Sequence, residues 1–261
     1  MSSKDIGALF AGAQAAGTLG DDAVAAIEIE DLGARIQEGL GISPDDISAS
    51  EVTIIALLID DSGSIRFVSG NADAVRTGHN SILDALLATK QKDAVLVSCR
   101  YLNGEQLYPF SRLQDAVRMD ARNYNPNGGT PLYDETIVVL GTAAAKQQEF
   151  VDNGVPCRVV TAVVTDGADM HSRKRAQDVA AVVSDLLKTE SHIVIGVGID
   201  DGSTDFKAVF KSMGIPEEWV LTPGNSPHEI RQAFATVSQS AVRASQNAGS
   251  FSKTAMGGFG S

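Results

Sequence analysis

Along most of the chain, runs of apolar side chains alternate with segments in which apolar residues recur every three or four positions. Residues 52–59 form a continuous run of apolar and β-branched side chains, which is typical of a strand buried on both faces. Helical spacing follows at residues 72–90. The same two patterns predict further strands at 94–102, 106–110, 158–165, 192–199 and 219–221, and further helices at 112–119, 131–150, 172–188, 205–213 and 227–244.

This alternation predicts an α/β fold with a doubly wound, mostly parallel sheet and helices on both faces. One exception is expected at the turn Asn103-Gly104, which lies between two strand-like runs. Because Asn-Gly between such runs is a strong signal for a β-hairpin, we expect one antiparallel strand at the edge of the sheet.

The chain divides by composition into three parts. Residues 1–50 are rich in Ala, Gly and acidic side chains, residues 51–245 form the main domain, and residues 246–261 form a Gly/Ser-rich tail that we expect to be flexible. In the first part, helical spacing connects Val24, Ile27, Leu32, Ile36 and Leu40. An aspartate at 21 or 22 would begin this helix and Gly41 would end it. The helix either packs on the main domain or forms a detachable arm that docks on a partner.

The composition excludes several classes of function. Acidic residues outnumber basic ones by 33 to 21, and the resulting net charge of −12 argues against broad binding of nucleic acids or anionic membranes. The longest strongly apolar run, residues 54–59, is far shorter than the roughly 18 residues that suggest a membrane span. Residues 6–17 only faintly resemble a secretion signal. Cys99 and Cys157 lie in strand-like runs and are expected to be reduced core residues, so the sequence favours a cytoplasmic protein.

Three polar clusters lie where a parallel sheet usually binds its ligands. Residues 60–64, Asp-Asp-Ser-Gly-Ser, follow the first strand, and residues 165–167, Thr-Asp-Gly, end the strand at 158–165. Residues 128–131, Gly-Gly-Thr-Pro, open the helix at 131–150. Ligands bind beyond the carboxyl ends of parallel strands, at the point where the connections diverge to opposite faces. We therefore expect the three clusters to meet at one edge of the sheet.

The potential ligands in these clusters are hydroxyl and carboxylate oxygens, a donor set that suits Mg²⁺, Mn²⁺ or Ca²⁺ better than Zn²⁺ or copper. Asp60, Ser62 and Ser64 are spaced two residues apart, so a chain leaving the strand can direct all three side chains the same way. Asp166 would add a second negative charge. A cation held by two carboxylates and neutral hydroxyls could accept a further anionic oxygen from elsewhere. Alternatively, these serines and aspartates act only as turn or helix caps.

Three motifs, Ile-Asp-Asp-Ser-Gly-Ser at 59–64, Gly-Gly-Thr-Pro-Leu at 128–132 and Val-Thr-Asp-Gly at 164–167, resemble those of the von Willebrand factor type A (vWA) domain with an intact metal-ion-dependent adhesion site (MIDAS). They occur in the family's order, and the resemblance covers roughly residues 51–245. It implies a Rossmann-like vWA fold. The second motif is more similar to that of intracellular prokaryotic members, which often work beside MoxR-type AAA+ ATPases or in stress and tellurium-resistance gene sets.

The resemblance also implies roles for individual residues. In the family, two motif serines and the threonine coordinate Mg²⁺, and the aspartates act directly or through water. The corresponding residues of this chain are Ser62, Ser64, Thr130, Asp60 and Asp166. The resemblance further implies that a carboxylate from a partner protein completes the coordination of the metal, so the partner would present an Asp or a Glu.

Four charged residues near these motifs are candidates for the rim of the site or for contacts behind the metal ligands. Asp61 should point away from the preceding aspartate and be solvated. Asp134, one turn into the helix at 131–150, could stabilise the start of that helix or lie behind the metal. Asp169 is expected at an exposed rim. Arg173, the first of three basic residues, could attract an acidic partner or belong to a solvated helix start.

The sequence favours a non-enzymatic, metal-dependent protein–protein interaction module, such as an adaptor for an AAA+ ATPase or for a stress-response complex. It shows no evident nucleophile–base pair and no Gly-x-x-x-x-Gly-Lys-[Ser/Thr] loop. One alternative is a Mg²⁺-dependent phosphohydrolase or phosphotransferase using Asp60, although the second acid of enzymes resembling haloacid dehalogenases is replaced by Ser62. Another is a structural assembly protein that uses residues 1–50 and the glycine-rich tail.

Overall fold

The computed structural model describes residues 5–27, 29–246, 251 and 257–260. Its described strands are β1 (Val52–Ile59), β2 (Val95–Tyr101), β3 (Gln106–Arg112), β4 (Cys157–Thr165), β5 (His192–Gly198) and β6 (Val220–Leu221). They form one six-stranded sheet in the order β3-β2-β1-β4-β5-β6. Neighbouring strands are parallel except β2 and β3, which form an antiparallel pair at one edge. The predicted mostly parallel sheet with one antiparallel edge strand is confirmed.

The described α-helices are α1 (Ile6–Ala15), α2 (Asp21–Ile27), α3 (Ile29–Leu40), α4 (Asn71–Leu87), α5 (Leu132–Asp152), α6 (Ala176–Lys188), α7 (Phe206–Ser212) and α8 (Pro227–Gln246). Helices α4 and α8 pack together on one face of the sheet, and α5 and α6 pack together on the other. Helices α1, α2 and α3 form a further layer on α5 and α6.

The centre of the sheet lies between β1 and β4. Helix α4 connects β1 to β2 on one side, whereas α5 leads from the edge strand β3 to β4 on the other side of β1. Crossovers that run in opposite directions place their helices on opposite faces and leave a crevice at the carboxyl ends of the two central strands. All eight residues of β1 are buried, as its continuous apolar run predicts.

The N-terminal helices approach α5 closely at Gly141. A Cβ atom added to this glycine would lie 3.1 Å from Ile36, 3.6 Å from Ile27 and 3.7 Å from Phe10. Side chains from α1, α2 and α3 therefore converge on one small residue of α5. Because a larger residue would separate the helices, Gly141 permits the described part of residues 5–40 to pack on the main domain.

The helices of the N-terminal segment differ in part from the predicted ones. The sequence pattern predicts no helix over Ile6–Ala15, because its small and apolar residues surround the helix without a clear polar stripe. Helix α3 ends at Leu40 as expected, and Gly41 follows with a φ of +59°, a conformation that favours glycine.

The predicted flexible tail, residues 246–261, falls largely outside the described residues. Of its described members, Phe251 is buried, with its ring centroid 5.8 Å from the Arg158 guanidinium. The Phe259 ring packs edge-on against Trp219, with the ring centroids 5.0 Å apart. These contacts hold two aromatic side chains of the tail against the main domain.

The prediction of a helix at residues 112–119 is wrong. Strand β3 continues to Arg112, which pairs with Leu96, and only the 3₁₀ turn Leu113–Asp115 follows. The Arg112 guanidinium donates to the carbonyl oxygen of Asp46 at 2.5 Å, which holds the chain extended at this point. Pairing with β2 therefore overrides the local helical spacing.

None of the described helices combines the length and the apolarity that crossing a bilayer requires. Cys99 in β2 and Cys157 in β4 are free and buried. Burial raises the pKa of both thiols well above the usual range, so both remain protonated at neutral pH.

His79 in α4 is buried, and burial keeps it neutral at pH 7. Its Nε2 lies 2.8 Å from the Tyr108 hydroxyl and its Nδ1 lies 3.1 Å from Asn80 Oδ1. Because Asn80 Oδ1 also accepts a hydrogen bond from the Met119 N–H, His79 Nδ1 must carry the proton, and Nε2 accepts from the tyrosine hydroxyl. Burial lowers the pKa of His79 from 6.5 to about 4, against the raising effect of its hydrogen bond to Asn80 and with a smaller contribution from the charge of Arg118.

We expect the contribution of His79 to the free energy of unfolding to fall as the pH decreases from 6.5 to about 4. In this range the unfolded chain binds a proton at His79 that the folded chain does not, which costs up to about 1.4 kcal/mol of stability per pH unit. Urea titrations at neutral pH and at about pH 5 should show that His79→Gln loses about 2 kcal/mol less than the wild type. His228→Gln, at an exposed histidine, should keep the wild-type pH dependence. Equal pH dependence in His79→Gln and wild type would contradict this account.

Candidate metal centre

The loops that follow β1 and β4 meet the loop before α5 at the carboxyl edge of the sheet. The Asp61 carbonyl accepts hydrogen bonds from the N–H groups of Asn127 and Gly128, at 2.7 and 2.9 Å. The Gly63 N–H donates to the Gly128 carbonyl at 3.3 Å. These backbone bonds fix the Gly-Gly-Thr-Pro loop beside the Asp-Asp-Ser-Gly-Ser loop, so the polar clusters meet as the topology predicts.

Three side-chain oxygens, which we call the oxygen triangle, form the centre of the site. Ser62 Oγ and Ser64 Oγ lie 2.8 Å apart. Both hydroxyls lie within hydrogen-bond distance of Asp166 Oδ1, at 3.0 Å from Ser62 and 2.7 Å from Ser64. Ser62 and Asp166 are buried, whereas Ser64 is partly exposed. Solvent therefore reaches the oxygen triangle from the side of Ser64.

Asp60 links the two central loops behind the oxygen triangle. Its carboxylate is fully buried. Oδ1 accepts from the Ser62 N–H at 2.7 Å, and Oδ2 accepts from the Thr165 hydroxyl at 2.7 Å and from the Asp166 N–H at 3.1 Å. The Tyr124 hydroxyl donates to the Asp60 carbonyl at 2.6 Å. Asp60 is therefore a structural link as well as a source of negative charge.

Thr130 is buried on the third loop, next to the oxygen triangle. Its carbonyl accepts from the Met170 N–H at 2.7 Å, which ties the loop after β4 to the start of α5. A Cβ atom added to Gly167 would lie 3.9 Å from the Thr130 hydroxyl, so this hydroxyl lies beside the loop that carries Asp166. The structure brings the five predicted ligands to one edge, four of them in one hydrogen-bonded cluster and Thr130 beside it.

The site concentrates negative charge in a poorly solvated place. Burial, together with the negative charge of Asp60, raises the pKa of Asp166 from 3.8 to about 7. Burial also raises the pKa of Asp61 to about 6, against the lowering effect of its hydrogen bond from the Asn103 N–H. Within the described part of the chain, neither Asp60 nor Asp166 forms an ion pair with a basic side chain. A bound cation would neutralise this charge.

The donor set and its spacing fit a small divalent cation. Mg²⁺ binds oxygen ligands at about 2.0–2.1 Å in an octahedron, so neighbouring ligand oxygens lie about 2.9 Å apart. The sides of the oxygen triangle, 2.7, 2.8 and 3.0 Å, are hydrogen-bond lengths in this structure, and they also match one face of such an octahedron, so a cation fits without moving the three oxygens apart. The described residues contain no group of three or more His, Cys, Asp or Glu side chains placed to hold a metal, so a cation here would depend on the serine hydroxyls as well.

Asp61 is buried, so the prediction that it is solvated is wrong. Its Oδ1 accepts from the Asn103 N–H at 2.9 Å in the turn between β2 and β3. Its backbone carbonyl bonds to the loop before α5 and its carboxylate bonds to the β2–β3 turn, so Asp61 joins these two loops. Its contact with a residue 42 positions away could not be inferred from local sequence.

Asp134 and Asp169 fasten the start of α5 to the loop after β4. The Asp134 carboxylate accepts from the N–H groups of Arg173 and Lys174, at 3.1 and 2.8 Å. Asp169 Oδ1 accepts from the Ser172 hydroxyl at 2.5 Å and from an N–H in the first turn of α5 at 3.1 Å. Both aspartates therefore position the loops that carry candidate ligands, through bonds that do not involve the oxygen triangle.

These bonds also explain why α6 begins later in the chain than the sequence predicts. The helix begins at Ala176 rather than at residue 172, because the preceding residues bond to α5 instead. The exposed side chain of Arg173 reaches Asp31 of α3, with the charged atoms 3.5 Å apart. His171 has a φ of +80°, and a Cβ atom added to Gly129 would lie 3.5 Å from its Nδ1. This histidine therefore lies along the edge of the Gly-Gly-Thr-Pro loop.

Two further residues organise the site: Thr165, which the sequence analysis places in a polar cluster without a role, and Tyr124, which it does not identify. The Thr165 hydroxyl bonds to Asp60 and also accepts from the Gly167 N–H at 3.2 Å. Its place in the Thr-Asp-Gly cluster at the carboxyl end of β4 is a signal that could have identified this role. Tyr124, by contrast, lies in a turn-rich loop 64 positions from the carbonyl that it binds, and no local pattern predicts this contact.

No protein-family model and no curated protein matches this chain. Solved structures of similar fold include the open conformation of the pilus adhesin SpaC from Lactobacillus rhamnosus GG, which is 15% identical with a TM-score of 0.54 over 76% of this chain and 31% of that chain. Proximal thread matrix protein 1 (PTMP1) from the mussel byssus is 20% identical with a TM-score of 0.50 over 72% of this chain and 47% of that chain. The SpRpn10 VWA domain is 10% identical with a TM-score of 0.46 over 71% of this chain and 95% of that chain.

The fold is thus that of an α/β domain that also occurs as one part of longer chains, such as SpaC and PTMP1. This chain spans about a third of the SpaC chain and about half of the PTMP1 chain. At these identities the likeness is one of fold, so the function has to be argued from the chain's own residues.

Proposed function

We propose that this chain is a vWA-type interaction module whose MIDAS-like site holds a divalent cation and, through it, binds an acidic side chain of a partner protein. The observation that carries the proposal is the oxygen triangle of Ser62, Ser64 and Asp166, whose sides fit one face of an octahedral site. Asp60 adds a second carboxylate to that of Asp166, and among the described residues neither of them forms an ion pair with a basic side chain. The three motifs that resemble the vWA family contain these residues.

The residues of the site have distinct roles in this proposal. Ser62, Ser64, Thr130 and Asp166 would hold the cation, and Asp60 would fix the loops that carry them. When bound, the cation would supply a Lewis-acidic position for a carboxylate oxygen of the partner. Two carboxylates balance the charge of a divalent ion, and the neutral hydroxyls add no further negative charge that would repel an acidic partner. We propose Mg²⁺ as the ion, with Mn²⁺ or Ca²⁺ as alternatives, because all ligands are hard oxygens.

We propose binding rather than catalysis because of the position of Asp60. An aspartyl-phosphate mechanism would need a carboxylate oxygen that a substrate can reach. The Asp60 carboxylate is fully buried, and both of its oxygens already accept hydrogen bonds. Turnover of a generic phosphoester that disappears in Asp60→Asn would favour the enzymatic alternative instead.

We further propose a partner inside the cell, such as a MoxR-type AAA+ ATPase or a stress-response complex. The support is the Gly-Gly-Thr-Pro-Leu form of residues 128–132, which resembles that of intracellular prokaryotic vWA proteins. The free, buried thiols of Cys99 and Cys157 suit a reducing compartment such as the cytoplasm. The net charge of −12 favours a protein partner over nucleic acid.

Thermal or urea unfolding of metal-stripped protein with added Mg²⁺ or Mn²⁺ tests the cation site. At a concentration about 100-fold above Kd, a bound ion should stabilise the wild type by about 2.7 kcal/mol. Asp166→Asn should lose this stabilisation. It should keep the stability of the metal-free protein, because the amide oxygen still accepts from Ser62 and Ser64 and the negative charge beside Asp60 is removed.

Asp61→Asn is the matched control, since it makes the same chemical change at the neighbouring buried carboxylate outside the oxygen triangle. It should keep the full response to the cation. Repeating the series with acetate supplies a carboxylate in place of the partner's. The proposed site is refuted if the wild type shows no response with or without acetate, or if Asp166→Asn responds as strongly as the wild type.

A further inference from the structure

Two exposed apolar side chains stand on the loops that carry the candidate metal ligands. Large apolar side chains exposed among the described residues are Phe67 (86%), Met170 (58%), Val151 (46%) and Val117 (42%). Phe67 lies three residues after Ser64, and Met170 lies four residues after Asp166. Because an extended chain spans at most about 3.6 Å per residue, the Cα atoms of Phe67 and Met170 lie within about 15 Å of the Cα atoms of Ser64 and Asp166, respectively. The two most exposed members of the set thus lie on the loops that carry the proposed ligands Ser64 and Asp166.

The backbone beneath both side chains is anchored. Phe67 ends the 3₁₀ helix Gly63–Phe67, which buries Ile65 and bonds through its first N–H to the loop before α5. The Met170 N–H donates to the Thr130 carbonyl at 2.7 Å. Exposed apolar groups on a fixed backbone lose little conformational freedom on binding. Phe and Met are also enriched in protein interfaces, and Met adapts to irregular surfaces.

Arg66 places a positive charge on the same 3₁₀ helix. Its guanidinium bonds to the side-chain oxygens of Asn125 and Asn127, at 3.5 and 3.0 Å. Both acceptors are neutral amides, and within the described residues Arg66 forms no ion pair with a carboxylate. In a chain with a net charge of −12, this exposed cation is held in place while its charge stays available to a partner.

We propose that Arg66, Phe67 and Met170, which we call the rim patch, recognise a partner segment that carries two acidic residues and a large apolar residue. One carboxylate of the segment binds at the cation site, which makes this inference depend on the proposed function. The second carboxylate pairs with Arg66, and the apolar side chain packs on Phe67 and Met170. The positive charge of Arg66 would also favour the approach of an acidic segment to an acidic protein.

A random peptide library displayed on phage and selected on the Mn²⁺-loaded full chain tests the rim patch. Chelator-sensitive peptides should contain acidic residues with a neighbouring Phe, Leu, Met or Trp. For the most enriched peptide, made synthetically, Phe67→Ser combined with Met170→Ser should weaken binding at least about tenfold. Arg66→Gln should weaken it about threefold and reduce its dependence on ionic strength.

Val151→Ser is the matched control, because it removes an exposed apolar side chain near the far end of α5, roughly 30 Å along the helix from Thr130. It should bind the peptide like the wild type. The response to Mn²⁺ in unfolding experiments should persist in all rim-patch variants, since none of these residues lies in the oxygen triangle.

The outcomes separate the two proposals. If the wild type selects no Mn²⁺-dependent acidic peptide, the proposed function fails and the rim patch fails with it. If it selects acidic peptides without apolar neighbours, and these bind the Phe67→Ser and Met170→Ser double variant as tightly as the wild type, the rim patch is wrong while the proposed function stands. Equal weakening by Val151→Ser would also overturn the rim patch.

Discussion

Asp60→Ala is expected to lower the free energy of unfolding of the metal-free protein by roughly 3–5 kcal/mol. The substitution removes the acceptor of the Ser62 and Asp166 N–H groups and of the Thr165 hydroxyl. Each buried donor left without an acceptor costs about 1–3 kcal/mol. The Thr165 hydroxyl can still donate to the Gly167 carbonyl at 3.0 Å. Removing the carboxylate of Asp60 also ends its repulsion with that of Asp166, which offsets part of the cost. Urea unfolding followed by circular dichroism measures the change.

Asp60→Asn should be less destabilising than Asp60→Ala, because its amide oxygen can still accept either from the Ser62 N–H or from the Thr165 hydroxyl and the Asp166 N–H. Asp61→Asn should not destabilise the protein at neutral pH, because its oxygen still accepts from the Asn103 N–H and the substitution removes a negative charge whose burial raises the pKa of Asp61 to about 6. Wild-type stability in Asp60→Ala would contradict the structural role of this residue. If the expectation holds, loss of metal binding in that variant cannot be separated from loss of structure, which is why Asp166→Asn is the cleaner test of the cation site.

Glu135→Ala is expected to destabilise the protein by about 3–5 kcal/mol. Glu135 is buried in the first turn of α5, where Oε2 accepts from Arg100 Nε at 2.8 Å and Oε1 bonds to the Arg35 guanidinium of α3. The side chain of Arg100 is only 4% exposed. The substitution therefore leaves a buried guanidinium without its counter-charge, and the loss is measured by urea unfolding at neutral pH.

Two variants test whether the unpaired charge of Arg100 causes the loss of stability in Glu135→Ala. Replacing both partners, with Glu135→Leu and Arg100→Met, should recover much of the stability, because no unpaired charge remains in the interior. Arg35→Ala alone should cost less than Glu135→Ala, because its side chain is 31% exposed and water can solvate the carboxylate that it leaves. A double variant as unstable as Glu135→Ala would indicate that packing at this position, and not charge, determines the effect.

The same ion-pair network connects elements that are far apart in sequence. Arg100 also donates to the Gly104 carbonyl at 2.5 Å, in the hairpin turn whose Asn103 N–H bonds to Asp61. Helix α3, the start of α5 and the β2–β3 turn are thus joined to the loop after β1. This arrangement packs the N-terminal segment on the main domain by charge as well as by the apolar contacts around Gly141.

Local sequence patterns predicted most of the sheet because burial constrains every position of its central strands. The continuous apolar run at residues 52–59 matches a strand whose residues are all buried. The Asn103-Gly104 turn predicted the antiparallel pair, and Gly104 has the positive φ that such turns favour. Where tertiary contacts outweigh local preference, prediction failed. Strand pairing extends β3 to Arg112 in place of a helix, and bonds to α5 delay the start of α6.

The sequence by itself determined the fold class, the chemical type of every candidate ligand and the edge of the sheet where the ligands meet. These properties follow from periodicity and motif position, which are visible within about 18 residues. Only the tertiary structure decided the distances, because Ser62 and Asp166 are 104 positions apart, and Asp60 and Thr165 are 105 apart. It also showed Asp61 to be buried and Tyr124 to reach the site. Such contacts depend on how the crossovers pack, and no local window of the chain contains both partners.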